Sequence, residues 1–263
     1  MPADCIWMVS MAGAKKKRNA AELAKFSEVV QKHMDSEKGN RGGALLSDII
    51  LGGQDGLVNV LGIVLGVAYA TNDSKIVLLA GLVATFAESV SMAAVAYTST
   101  RADQDHYNRE LAQENWEINH VPDVETEEIR LIYMKKGLRG KELEQMVKSV
   151  TSNRELWVSV MMSEELGLTP VESGDAVKSG FVVGFSAIVG SVIPLIPFLF
   201  FPVGLSMMLS LALAALTLFG VGAYKAKVTV GRWWKSGLEM MIIGGLAALA
   251  GYAVGALFKV PVA

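Results

Sequence analysis

The sequence predicts an all-α, multi-pass membrane protein, with five transmembrane helices and a cytoplasmic helical insert between the second and third spans. Three observations predict it. Mean hydropathy is +0.38 and 52% of the 263 residues are apolar, more than ordinary soluble domains carry. The apolar residues gather into five long runs, each able to cross a hydrocarbon core of about 30 Å. The charges are segregated, with acids crowded between the second and third runs.

Composition also excludes function classes. The net charge of −2 by itself says nothing about nucleic acid, because the charges are segregated, and no nucleic-acid partner is expected. Cys5 is the single cysteine, so neither an internal disulfide nor a thiolate metal cluster can form within one chain. His33, His106 and His120 are the only histidines. A metal site must therefore lean on carboxylates and methionines. The start is mildly apolar and runs into Lys15-Lys16-Lys17-Arg18, the reverse of a cleavable leader.

Residues 1–46 read as a cytoplasmic N-terminal amphipathic segment: Leu23, Phe26, Val30 and Met34 recur at helical spacing between charged residues. Residues 47–100 hold the first two spans. The first runs from about Ile49 to Ala70, with Ser47 and Asp48 placed to cap it. A polar turn, 71–75, leads to the second span, 76–99.

Residues 101–175 form the acidic insert, in four helical stretches. The first continues the second span to about Asn119. The next opens at Pro122 and stops at Gly137, and a third covers 141–150 with Leu143, Met146, Val147 and Val150 on its apolar face. The last is capped by Asn153, runs to Glu165 and stops at Gly167. Residues 176–263 hold three further spans, about 176–200, 202–224 and 237–258. Basic residues fall before the first span and, as Lys225, Lys227, Arg232 and Lys235, between the fourth and fifth. The positive-inside rule then puts the N-terminus and the insert in the cytoplasm.

Two acids lie inside spans. Asp55 sits in Gly52-Gly53-Gln54-Asp55-Gly56 and Glu88 in the second span, one turn before Met92. An ionisable group in a span costs roughly 2.5–3.5 kcal/mol at the helix centre, so each marks an ion or proton path. The competing reading of Asp55 is a helix cap at the headgroups. In the insert, Glu114 and Glu117 are three apart, as are Glu125 and Glu128, so each pair shares a helical face. Two such helices joined near Pro122 can gather four carboxylates around a divalent cation. Met161, Met162 and Glu165 can share a face of the last insert helix, and a thioether favours a transition ion over calcium or magnesium. The competing reading is a solvated acidic face with core methionines.

These residues resemble the vacuolar iron transporter family over about residues 44–258. The resemblance is carried by Asp55-Gly56, by Ser91-Met92 followed by Tyr97-Thr98-Ser99, and by Met161-Met162-Ser163-Glu164-Glu165-Leu166-Gly167-Leu168. Val192-Ile193-Pro194-Leu195-Ile196-Pro197 extends it. It implies a transporter moving ferrous iron, or in some members manganese, out of the cytosol in exchange for protons, with no permanently bound cofactor. It implies that Asp55 and Met92 belong to the path, and that Glu114, Glu117, Glu125, Glu128, Met161, Met162 and Glu165 bind metal. It further implies a homodimer, placed in the vacuolar membrane of a eukaryote or the cell membrane of a prokaryote. Two departures stand out: Ala96 replaces a glutamate common in relatives, a role that Glu88 can take over, and Gln54 precedes Asp55 where an asparagine is common.

Transport has rivals: a manganese exporter using the same site, or a membrane-tethered metal buffer or sensor. An enzyme is not expected. A di-iron oxidase wants paired Glu-x-x-His motifs, and only Glu117 with His120 fits. No glycine-rich phosphate loop implies ATP.

Overall fold

The computed structural model describes residues 42–172, 174–229 and 231–258. The amphipathic segment read at residues 23–34 lies outside them. Ser47 begins the larger of the two units into which the chain divides. The described residues are helical, with no strand among them. Five helices are long and apolar enough to cross a membrane: α1 (Gly42–Thr71) and α2 (Ser74–His120), then, after the insert, α6 (Asp175–Phe200), α7 (Val203–Val228) and α8 (Trp233–Leu257). The insert adds α3 (Pro122–Lys135), α4 (Gly140–Thr151), α5 (Arg154–Val160) and a π-helical turn, Met161–Glu165.

Local chemistry explains most of the boundaries. Asp73 caps α2 by accepting from the amides of Lys75 and Ile76, and Asn72 makes the preceding turn at φ 49°. Pro122 opens α3, where its missing amide hydrogen costs nothing. Gly137 and Gly167 follow helices at φ 99° and 66°, which glycine adopts without strain. Asn153 caps α5 through the Leu156 amide. The expected caps at Ser47 and Asp48 are not formed, because α1 starts upstream at Gly42 and leaves both inside the helix.

The membrane bundle is arranged about α1 and α6, the two most buried spans. Leu57, Leu61 and Leu65 of α1 pack against Ala214 and Leu218 of α7 and Met240 and Ala248 of α8. Val60, Val64 and Ala68 pack with Val77 of α2 and with Leu195 and Phe198 of α6. Glycines bring the backbones together. A Cβ on Gly52 would overlap the Val183 carbonyl, and one on Gly190 would overlap that of Gly53, so α1 and α6 cross in backbone contact. Higher up, Gly66 faces the Gly251 carbonyl at 2.6 Å from an ideal Cβ, and Gly251 faces Gly62. Small residues play this part in membranes, where water does not drive helices together.

α6 continues through Pro194 and Pro197 to Phe200. Ser210 and Ser206 of α7 donate to the carbonyls of those prolines at 2.6 and 3.0 Å, tying the two spans. The insert has its own core of Ile118, Ile129, Leu143, Val147, Val150, Trp157, Met161 and Met162, with neighbours. Met146, expected on the inner face of α4, is instead 37% exposed.

Gly251→Val should push α1 and α8 apart, since it adds three carbons where even one overlaps the Gly62 backbone. Overpacking of this kind costs about 1–3 kcal/mol. Thermal melting in detergent should fall clearly, whereas Gly245→Ala, which meets nothing within 4 Å, should leave it unchanged.

Candidate metal sites

The polar residues of the first two spans meet. Asn59 of α1 donates from Nδ2 to Oε1 of Glu88 on α2 at 2.5 Å. Asp55 is close enough to act electrostatically on the same glutamate. Asp55 and Asn59 are one turn apart and so share a face of α1. Glu88 Oε2 is buried with no partner. The group lies about 18–24 Å from the turn joining the two helices, at ~1.5 Å per residue. Asp55 is far inside α1, which begins at Gly42, so it does not cap the helix. Met92 is half-buried one turn further along α2, and Ala96 is buried one turn beyond it.

This group is open on one side. Asn59 is exposed, and Asp55 and Glu88 are half-buried. On the other side Gly56 lets α6 come close, so that an ideal Cβ there would lie 2.6 Å from Ser191 Oγ. That hydroxyl is fully buried and unpartnered. Sequence reasoning passed over Asn59 and Ser191. The available signal was an amide four residues after Asp55 in an otherwise apolar run.

The second group is in the insert. Glu114 and Glu117 on α2 and Glu125 on α3 each offer an oxygen, all within 4.8 Å of one another. The α2–α3 corner at Val121 and Pro122 folds the two helices against each other through Ile118 and Ile129, one turn from Glu114 and Glu125. Glu114 and Glu125 are buried, while Glu117 and Glu128 are half-buried. The Oε2 atoms of Glu114 and Glu125 have no hydrogen-bond partner. Burial, then the charges of Glu165, Glu117, Glu128 and Glu110, raise Glu114 to about 7. Burial, then Glu128, Glu114, Glu117 and Glu165, raise Glu125 to about 7. Glu165 is raised too, by partial desolvation of its carboxyl and then by Glu128 and Glu117. Acids crowded and desolvated in this way hold protons near neutrality or take up a cation. Hard oxygen donors suit a divalent ion.

Met161 and Met162 are buried in the core that holds Ile118 and Ile129. Glu165 is exposed, although its charge reaches Glu114, Glu117 and Glu128. The shared face expected for these three residues assumed α-helical spacing. The π turn changes that spacing: Leu166 bonds back to Met161 and Leu168 to Met162. Such turns often occur at functional sites. His120, the oxidase candidate, hydrogen-bonds through Nδ1 to the Trp116 carbonyl at 2.7 Å and stacks on the Trp116 ring.

The model of the VIT family matches residues 46–256. Vacuolar iron transporter 2 of Oryza sativa subsp. japonica is 35% identical over 83% of this chain and 89% of its own. Vacuolar iron transporter 1 of Tulipa gesneriana is 34% identical over 80% and 85%. Vacuolar iron transporter 1 of Eucalyptus grandis is 33% identical over 81% and 86%.

Glu114 and Glu125 titrate near 7 in the folded protein and near 4.5 otherwise, so between these values the folded state holds more protons. The stability they contribute is fully present below about pH 4.5 and is lost as pH rises through about 7. Metal-free melting temperature should therefore drop from pH 5 to pH 8. Glu114→Gln with Glu125→Gln should flatten that drop, and a divalent cation should reverse it at pH 8. A melting temperature that rises over this range, equally with and without the two glutamates, contradicts the cluster's electrostatics.

Proposed function

The chain belongs to the VIT family, and from that premise we propose that it exports ferrous iron from the cytosol in exchange for protons. The relatives it matches are named as iron transporters, so this multi-pass chain is a metal transporter rather than an enzyme. The observation that carries the finer reading is the cross-helix bond of Asn59 to Glu88, with Asp55 one turn from Asn59 and acting on the same glutamate. A plain membrane anchor has no use for two costly acids in contact. Two carboxylates balance one divalent ion, and protons balance them after it leaves. That equivalence supports exchange.

The insert is cytoplasmic in this reading, and its cluster is the capture site. Glu114, Glu117 and Glu125 supply oxygens, and Glu128 and Glu165 add negative potential. Met161 and Met162 supply the softer donors that favour a transition ion. The ion then enters between α1 and α2, where Asp55 and Glu88 receive it and Met92 helps select it. Exposure supports a homodimer: lipid satisfies neither an amide nor a carboxyl, and a second copy of α1 and α2 would cover the open side of the group. Manganese uses the same oxygens and is a secondary substrate.

Ferrous iron flux into proteoliposomes tests this, with the insert facing outward and with or without a pH gradient. Wild-type flux should follow the gradient. Asp55→Ala should abolish it, and Glu165→Ala should slow it several-fold at low iron while sparing it at saturation. Intact flux in Asp55→Ala would sink the mechanism. Metal binding without flux of iron or manganese would turn the reading to a membrane-tethered buffer.

A further inference from the structure

We infer that Asn59 is a positioning residue for the intramembrane ion seat: its amide holds one oxygen of Glu88 and leaves the other turned, with Asp55, toward the cation. This rests on the transport reading above and adds a residue to it. The hydrogen bond runs from α1 to α2, across 29 residues of sequence, so it fixes one helix's side chain against the other. It engages only Oε1. Oε2 is buried and unpartnered, the oxygen left for an incoming ion.

The chemistry explains why an amide stands here. Two carboxyls in contact repel as anions, and glutamate has three side-chain torsions by which to swing away. A donor fixed on α1 opposes that swing. Asn59 and Asp55 are separated by about 6 Å of helix rise, so the bond that restrains Glu88 also keeps it beside Asp55. A lysine or arginine in this place would hold Glu88 more strongly, but it would neutralise the charge that a divalent cation needs. The amide is neutral and restrains the carboxylate without cancelling it. An amide exposed in an apolar span is otherwise a liability, since lipid offers it no partner.

An asparagine has a second possible role, lending its own oxygen to the ion. Aspartate separates the two, being the same size and shape but unable to donate when ionised. The full-length chain carrying Glu114→Gln, Glu117→Gln and Glu125→Gln, in detergent, reports Mn2+ binding at the membrane seat without the insert cluster. In that background Asn59→Asp and Asn59→Leu should each weaken binding about tenfold, the scale of one hydrogen bond to a charged group. Asn59→Gln, which keeps the donor, should stay within about threefold. Tighter binding by Asn59→Asp would overturn the positioning role in favour of a ligand role. Unchanged binding in both Asn59→Asp and Asn59→Leu would overturn any role, and no binding in the parent would overturn the seat. Asn59→Asp carries the test if the leucine variant does not fold. Mn2+ flux with the native insert, run in parallel, isolates the premise: a parent that binds but does not transport refutes transport and leaves Asn59 judged by binding alone.

Discussion

Backbone-to-backbone contact along α1 is the constraint on which the bundle depends. Gly52, Gly53 and Gly56 take up the approach of α6, and Gly62 and Gly66 that of α8. Leucines fill the side toward α7, valines the side toward α2 and α6. What remains is a narrow strip carrying Asp55 and Asn59, and it faces Glu88. The same open side exposes Ile49, Leu51 and Ile63, while the glycine, leucine and valine sides are closely packed. Loosening the glycine contacts would move Asp55 relative to Glu88, so packing and chemistry share one helix.

Among the described residues, no cation forms an ion pair with either acidic group. Arg130 is engaged by Glu127 and Glu144, and Lys136 by Glu164. None of the described ion pairs involves Glu114, Glu117, Glu125 or Glu128. A structural acidic cluster is normally stitched with lysine or arginine. Here basic residues lie nearby on the same helices and are bonded elsewhere. The cost of crowding stays unrelieved until a proton or a metal arrives, and that makes the cluster responsive to both.

Much of this was legible in the sequence, for physical reasons. The five spans follow from run length alone, and the insert's breaks follow from Pro122, Gly137 and Gly167, whose backbone preferences are local. The pairing of Glu114 and Glu117 with Glu125 was readable because helix spacing and a short link around Pro122 allow little else. Ser47 and Asp48 misled because a cap signal says where a helix can start, and α1 starts earlier. The π turn at Met161–Glu165 has no sequence signature, so the placement of Glu165 could not be had from spacing. Asn59 was missed because its partner is 29 residues away and a lone amide has no periodicity. Glu88 was legible as an oddity, but its company was not.

α2 spans 47 residues without an internal proline, and it carries Glu88 and Glu114 on one rod. Their separation along the axis is about 39 Å at ~1.5 Å per residue, and an unbroken helix holds that distance like a ruler. The two acidic groups therefore cannot approach each other unless α2 bends or breaks.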